Sequence, residues 1–169
     1  SGELFAKALE VGRRELGEDN VIVLDAMHGL AFQYTLAYRY DEAEALSQKG
    51  LEISTRVLGK EHKFTIDFMN MIAWIWGEQG QREDWEAGLK LVAEALEISQ
   101  RVLGDKHLST VLTLNDLGWL YTKLERYDEA LQPMIRSIEL CHQVINEAHP
   151  ISLYLMNRLV TLYRKCEQH

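Results

Sequence analysis

"RVLGKEH" at residues 56–62 and "RVLGDKH" at residues 101–107 spell nearly the same seven letters. The likeness extends outward from both copies. Gly17, Gly59, Gly104 and Asn146 fall at corresponding positions, 42, 45 and 42 residues apart, and three residues after each stand Asn20, His62, His107 and His149. Further on come Leu30–Ala31, Ile72–Ala73, Leu117–Gly118 and Leu159–Val160, then Tyr34, Trp76, Tyr121 and Tyr163 three residues later. An aliphatic, a small residue and an aromatic at i, i+1 and i+4 share one face of a helix. The small residue admits a neighbouring helix, and the aromatic fills the space beside it.

A second helical pattern follows each of the first three copies. It opens with "YDEA" (40–43), "WEAG" (85–88) and "YDEA" (127–130), and runs through Gly50, Ala95 and Ser137 into "LEIS", "LEIS" and "IELC". "ALEVGRRELG" (8–17) fits the end of the same helix, so the sequence is expected to open inside a repeat. The longer middle spacing comes from three extra residues near "GEQGQRED", where a glycine-containing turn tolerates insertion. The periodicity predicts eight helices, over about 3–16, 22–37, 41–57, 65–79, 84–102, 108–123, 128–144 and 150–166.

Local signals agree with these bounds. Gly59 and Gly104 suit left-handed C-terminal caps, Asp128 and Glu129 favour a helix start, and Pro150 fits a first helical position. Glu10–Arg14, Glu52–Arg56 and Glu97–Arg101 recur as i,i+4 pairs in the favourable order, each worth about 0.3–0.5 kcal/mol. The repeated "RVLG" is thus a structural joint: arginine braces the helix, valine and leucine pack, glycine ends it.

Composition supports an all-helical protein with a real core: 47% of the 169 residues are hydrophobic and only two are proline. The formal charge of −8 argues against a nucleic-acid surface, which needs clustered Lys and Arg, and against an anionic membrane. No apolar run approaches the length that spans a bilayer, and no secretory signal opens the chain. Cys141 and Cys166 lack framework spacing, so a reduced, cytoplasmic setting is expected.

The small-and-aromatic first helix, "YDEA" at the turn and a small residue deep in the second helix resemble the tetratricopeptide repeat, whose common period is 34. The longer period here, with "LG-x-x-H(P)" at the joint and "N-x-(L/I)-(A/G)" in the first helix, resembles the kinesin light chain subfamily. That resemblance implies an all-α, right-handed superhelical α-solenoid of antiparallel helix pairs, one array over 1–169. Its expected parts are a half repeat at 3–16, repeats at about 20–57, 62–102 and 107–144, and a half repeat at 149–166. It implies a protein–protein interaction scaffold that takes a peptide segment of a partner in its concave groove. The alternative is a structural spacer or a regulatory sensor segment of a larger multi-domain protein, such as a nucleotide-switch ATPase.

The concave wall of such an array is lined by the first helix of each pair. Its residues lie three before and one after the small residue: His28, Asn70, Asn115 and Asn157, then Phe32, Trp74, Trp119 and Thr161. A carboxamide both donates and accepts, so it suits an extended backbone. In similar proteins an asparagine ladder holds a peptide, and His28 departs from that ladder. The aromatics would receive a bulky apolar anchor. Asp25, Asp67 and Glu78 toward the front, and Lys123, Arg164 and Lys165 toward the back, would match a peptide of opposite polarity.

Chemistry is not expected. His62, His107 and His149 recur once per repeat, too far apart to converge on one zinc ion, and are read as loop-ordering residues that pack or bond to the preceding helix end. Cys166 and His169 form no complete ligand set, and no metal or cofactor is expected. There is no H-E-x-x-H, phosphate loop or serine elbow, so the chain is not read as an enzyme. Apolar edges at both ends are ones that a longer protein would cover, and end-to-end self-association is expected only of the fragment, with little biological meaning.

Overall fold

The computed structural model describes residues 2–168. Among them eight α-helices follow one another: α1 (Gly2–Leu16), α2 (Val21–Leu36), α3 (Tyr40–Leu58), α4 (Lys63–Gln79), α5 (Arg82–Val102), α6 (Leu108–Lys123), α7 (Tyr127–Val144) and α8 (Pro150–Cys166). Each begins and ends within two residues of the bounds that periodicity predicts. His169, weighed above with Cys166 as a metal pair, lies outside the described residues.

The chain divides into two compact units, Ser1–Gln79 and Gly80–His169. In the first, α2 packs on α1 and α3, α3 packs on α4, and α2 also touches α4. In the second, α6 packs on α5 and α7, α7 packs on α8, and α6 also touches α8. Helices joined by such short turns run antiparallel.

The joints explain the repeated heptads. Gly17, Gly59 and Gly104 have φ of +83°, +90° and +83°, a region in which a side chain is strained. At Gly59 and Gly104 the glycine N–H closes the preceding helix by donating to Ser54 O and Ser99 O, both at 3.1 Å. Three residues on, the N–H of Asn20, His62, His107 and His149 returns to the carbonyl of Gly17, Gly59, Gly104 and Asn146, at 3.4, 3.3, 3.2 and 3.0 Å. The side chain of that same residue then caps the next helix. Asn20 Oδ1 accepts from Ile22 N at 2.9 Å. The Nδ1 atoms of His62, His107 and His149 accept from Phe64, Ser109 and Ile151 N, each at 3.2 Å. The histidines therefore serve the helix that follows, correcting the expectation that they bond the one before. The cause is backbone geometry: His107 and His149 have extended ψ values of 138° and 140°, which swing the side chain across the free N–H groups of the first turn.

The arginine of the joint also acts across it. Arg56 forks onto Asp19 in the preceding joint, at 2.6 and 3.0 Å, and this bond holds the Asp19 carboxyl below its ordinary range. Arg14 Nε donates to Glu15 at 2.7 Å. Arg56 thus bonds the joint residue Asp19, which stands within reach of its guanidinium, and Arg14 bonds its helix neighbour Glu15, in place of the i,i+4 glutamates expected for both.

Two cores follow from the packing faces. In the first unit Leu9, Val23, Leu24, Met27, Leu30, Ile53 and Phe68 form one buried cluster. The Phe68 ring lies against Gly50, where an added Cβ would come within 2.3 Å of the ring. In the second unit Val111, Leu114, Leu140, Cys141 and Leu155 form one cluster, and Ala130, Met134 and Leu162 another. A Cβ at Gly118 would meet Met134 Cγ at 2.3 Å and the Ala130 carbonyl at 2.9 Å. This is the close approach that the small residue permits.

Candidate functional site

In the first unit the expected wall residues come from α2 and α4. The Phe32 ring is 41% exposed and lies 5.8 Å from the Trp74 ring, tilted by 39°. Trp74 and Asn70 are half-buried, and the Trp74 indole N–H is covered without an acceptor in the structure. His28 is edge-on to Phe68, at 5.7 Å and 79°. Burial pushes its pKa below the ordinary histidine value; Asp67 and Asp25 oppose that shift and Lys63 adds to it. Asp67 is nearly covered and ion-paired with Lys63 one turn earlier, which removes it from the set of open charges expected for a ligand. Asp25 and Glu78 are exposed.

The second unit departs further from the expected ladder. Asn115 is fully buried and both ends of its amide are engaged. Its Nδ2 donates to Ser137 Oγ on α7 at 3.2 Å, and its Oδ1 accepts from Arg158 Nη1 on α8 at 3.1 Å. A ligand cannot reach it, so the Asn115 rung is corrected to a structural one. Asn157, at the same register on α8, is exposed, and its carbonyl accepts from the half-buried Thr161 hydroxyl at 2.9 Å.

Arg158, which the sequence reading passes over, organises this region. It is nearly buried, and its Nη1 reaches Asp116 Oδ1 at 2.6 Å as well as Asn115. Its guanidinium carbon lies 4.7 Å from the Tyr154 ring centroid and 4.8 Å from that of Trp119. Lys123 Nζ lies 4.9 Å from the Trp119 centroid and 5.9 Å from that of Trp85. Trp119 is half-buried between two cations, an arrangement in which each charge faces the negative π-cloud. Arg164 is exposed and Lys165 half-buried.

The arrangement offers aromatic faces, amides and cations, which are groups that bind. Among the described residues no group of three or more His, Cys, Asp or Glu could hold a metal ion, and no helix is long and apolar enough to cross a membrane.

Comparison with known proteins follows the same division. Family models described as tetratricopeptide repeat match residues 23–62 and residues 80–143. No curated protein sequence matches the chain. Among solved structures, a Podosopora anserina protein described as a kinesin light chain with nearly identical TPR-like repeats is 20% identical, with a TM-score of 0.71; the match covers 99% of this chain and 78% of that one. A single-substitution variant of that protein gives the same identity and coverage with a TM-score of 0.73. BtubC (BKLC) from P. vanneervenii is 21% identical with a TM-score of 0.76, over 98% of this chain and 65% of that one. Likeness at this identity speaks for the fold, an all-α solenoid of helix pairs. With both models naming the same repeat, the chain belongs to the tetratricopeptide-repeat proteins, a family of protein–protein interaction scaffolds.

Proposed function

We propose that this chain binds a peptide segment of a partner protein along its first helices, in the groove that tetratricopeptide pairs line. The observation that carries the reading is the Phe32–Trp74 pair: two aromatics in tilted contact on adjacent first helices, with Phe32 left 41% exposed. Exposed aromatic area of this kind supplies contact at low entropic cost, and such residues dominate binding hot spots. A bulky apolar side chain of the partner would lie on Phe32 and Trp74.

The second unit would add its own contacts. Trp119 with Lys123 over its ring, and the exposed Asn157 and Arg164, suit a segment with an apolar residue near a polar or acidic one. No part is assigned to Asn115 or Asp67.

The test is selection of binders from a random peptide library on the intact chain, then calorimetry with Phe32→Ala and Lys123→Ala. Both side chains reach the surface, so thermal stability should hold while affinity falls about tenfold or more for a residue at the hot spot. Binders indifferent to both changes, or a library that yields none, would remove the groove and favour a spacer that positions other domains.

A further inference from the structure

The turn between α2 and α3 carries a feature that the turn between α6 and α7 lacks. Both turns hold one residue in the left-handed region, Tyr38 at φ +59° and Glu125 at φ +61°, where a bulky side chain is strained. Glu125 shows that the turn itself does not need an aromatic there. The Tyr38 ring is 79% exposed and meets the ring of the half-buried Tyr40 at 6.1 Å and 90°, so the two form a corner open to solvent on the Tyr38 side. Tyr40 packs on the same buried cluster as Trp74, so the corner adjoins the Phe32–Trp74 pair. Leu36, one turn after Phe32, is 54% exposed, and Glu78, one turn after Trp74, is exposed as well. Burial pushes the Tyr40 phenol above its ordinary value, and the nearby Glu78 carboxylate adds to that shift.

We propose that this corner seats a cationic side chain of the bound peptide, arginine by preference, standing next to the bulky apolar residue that lies on Phe32 and Trp74. The proposal deepens the peptide reading and rests on it for the source of the cation. A planar guanidinium stacks on the exposed face of Tyr38, with the Glu78 carboxylate to balance its charge. The second unit supplies the contrast. In the same register it has Lys123 for Leu36, Glu125 for Tyr38 and Lys165 for Glu78. Its wall aromatic, Trp119, already faces Lys123 Nζ at 4.9 Å and the Arg158 guanidinium at 4.8 Å. At the positions of those two cations the first unit has Leu36 and Met71, so its aromatic row draws no cation from them. Arg39, between the two tyrosines in sequence, is committed elsewhere: its guanidinium lies 4.3 Å from the Tyr34 ring and forks onto Glu42. Lys123 and Lys165 would repel a cation from the equivalent turn of the second unit, so a basic residue is accepted at the first turn and refused at the other.

The seat and the peptide reading are tested apart. NMR of the intact chain follows the tyrosine ring protons while N-acetyl-arginine amide, or its uncharged isostere N-acetyl-citrulline amide, is added in the millimolar range. The arginine amide should move the Tyr38 and Tyr40 signals, and the citrulline amide should not. Glu78→Gln should weaken the movement, and Tyr38→Asn should abolish it at Tyr40. Circular dichroism should be unchanged in both variants, since asparagine accepts a left-handed backbone. That result carries the seat even where the peptide library yields no binder. Equal movement with both amides, or none with either, would overturn the seat even where binders are found. In a selected peptide with arginine beside its apolar anchor, replacing that arginine by citrulline should lower affinity about three- to tenfold on the wild type and leave it unchanged on Tyr38→Asn. Equal losses on the two proteins would place the arginine elsewhere and overturn the seat while leaving the groove.

Discussion

Removing the Arg158 guanidinium tests what holds α6 and α8 together. In Arg158→Met the aliphatic stem survives, while an ion pair at 2.6 Å, a hydrogen bond at 3.1 Å and contacts with two aromatic rings are lost. The two charged side chains are only 5% and 13% exposed, so water screens the pair little. Breaking such a pair from one side costs about 3–5 kcal/mol, and the retained stem argues for the lower end. Asp116→Leu should cost about as much for the complementary reason. The double variant removes both charges from the interior and should cost about 1–2 kcal/mol, since a buried pair replaced by apolar groups is close to neutral. A coupling energy above roughly 2 kcal/mol is therefore expected. Urea unfolding followed by circular dichroism measures it, provided the denaturant slope is the same in all four proteins. Additive single costs, or an Arg158→Met cost below about 1 kcal/mol, would refute the assignment of Arg158 as the tie between these helices.

Three further outcomes follow from the joints and the packing. His107→Ala should lose about 1 kcal/mol of stability by thermal or urea unfolding, while His107→Asn should lose little, because Asn20 performs the same cap in the first joint; equal losses would argue against capping. Gly50→Ala would gain up to about 1 kcal/mol from helix propensity alone, but its Cβ would fall 2.3 Å from the buried Phe68 ring, so a net loss of about 1–2 kcal/mol is expected, partly recovered by Phe68→Leu. His28 has a folded pKa lowered by burial, so its neutral form is the stabilised one. That contribution is complete above the ordinary value of 6.5 and is lost as pH falls through the lowered folded value. Stability measured from pH 7.5 toward pH 5, bounds set about the usual histidine range, should fall less steeply in His28→Gln than in the wild type.

The fold was legible because its determinants are local and periodic. Small residue, aromatic, glycine and "YDEA" recur in register, and each acts within its own helix pair, so spacing alone reports it. The histidine caps carried a readable signal that the sequence analysis did not use: Asn20 occupies their position, and asparagine is among the strongest N-cap residues. The arginine partners were harder to see. An i,i+4 glutamate precedes Arg56, yet Asp19, 37 residues away, takes the guanidinium, because the joint of the preceding repeat lies alongside.

Asn115 and Asn157 mark where sequence register stops being informative. They share residue type, helix position and the adjoining sequence pattern, yet one is sealed and the other exposed. Register specifies which face of a helix a residue occupies. Depth depends on what the neighbouring helices bring to that face: Asn115 receives Ser137 from α7 and Arg158 from α8, and the arginine is drawn in by Asp116 and two rings. At the position of α4 that matches Arg158 stands Met71, so the wall residue of α2 receives no such cation, and repeats that look alike in spacing differ in how their wall positions are covered. Asn115→Ala should accordingly lower stability and leave the affinity of any selected peptide unchanged on the surviving fold. If that substitution instead abolished peptide binding with no change in unfolding, the buried amide would have to open to ligand, and the division between structural and binding positions drawn from this geometry would fail.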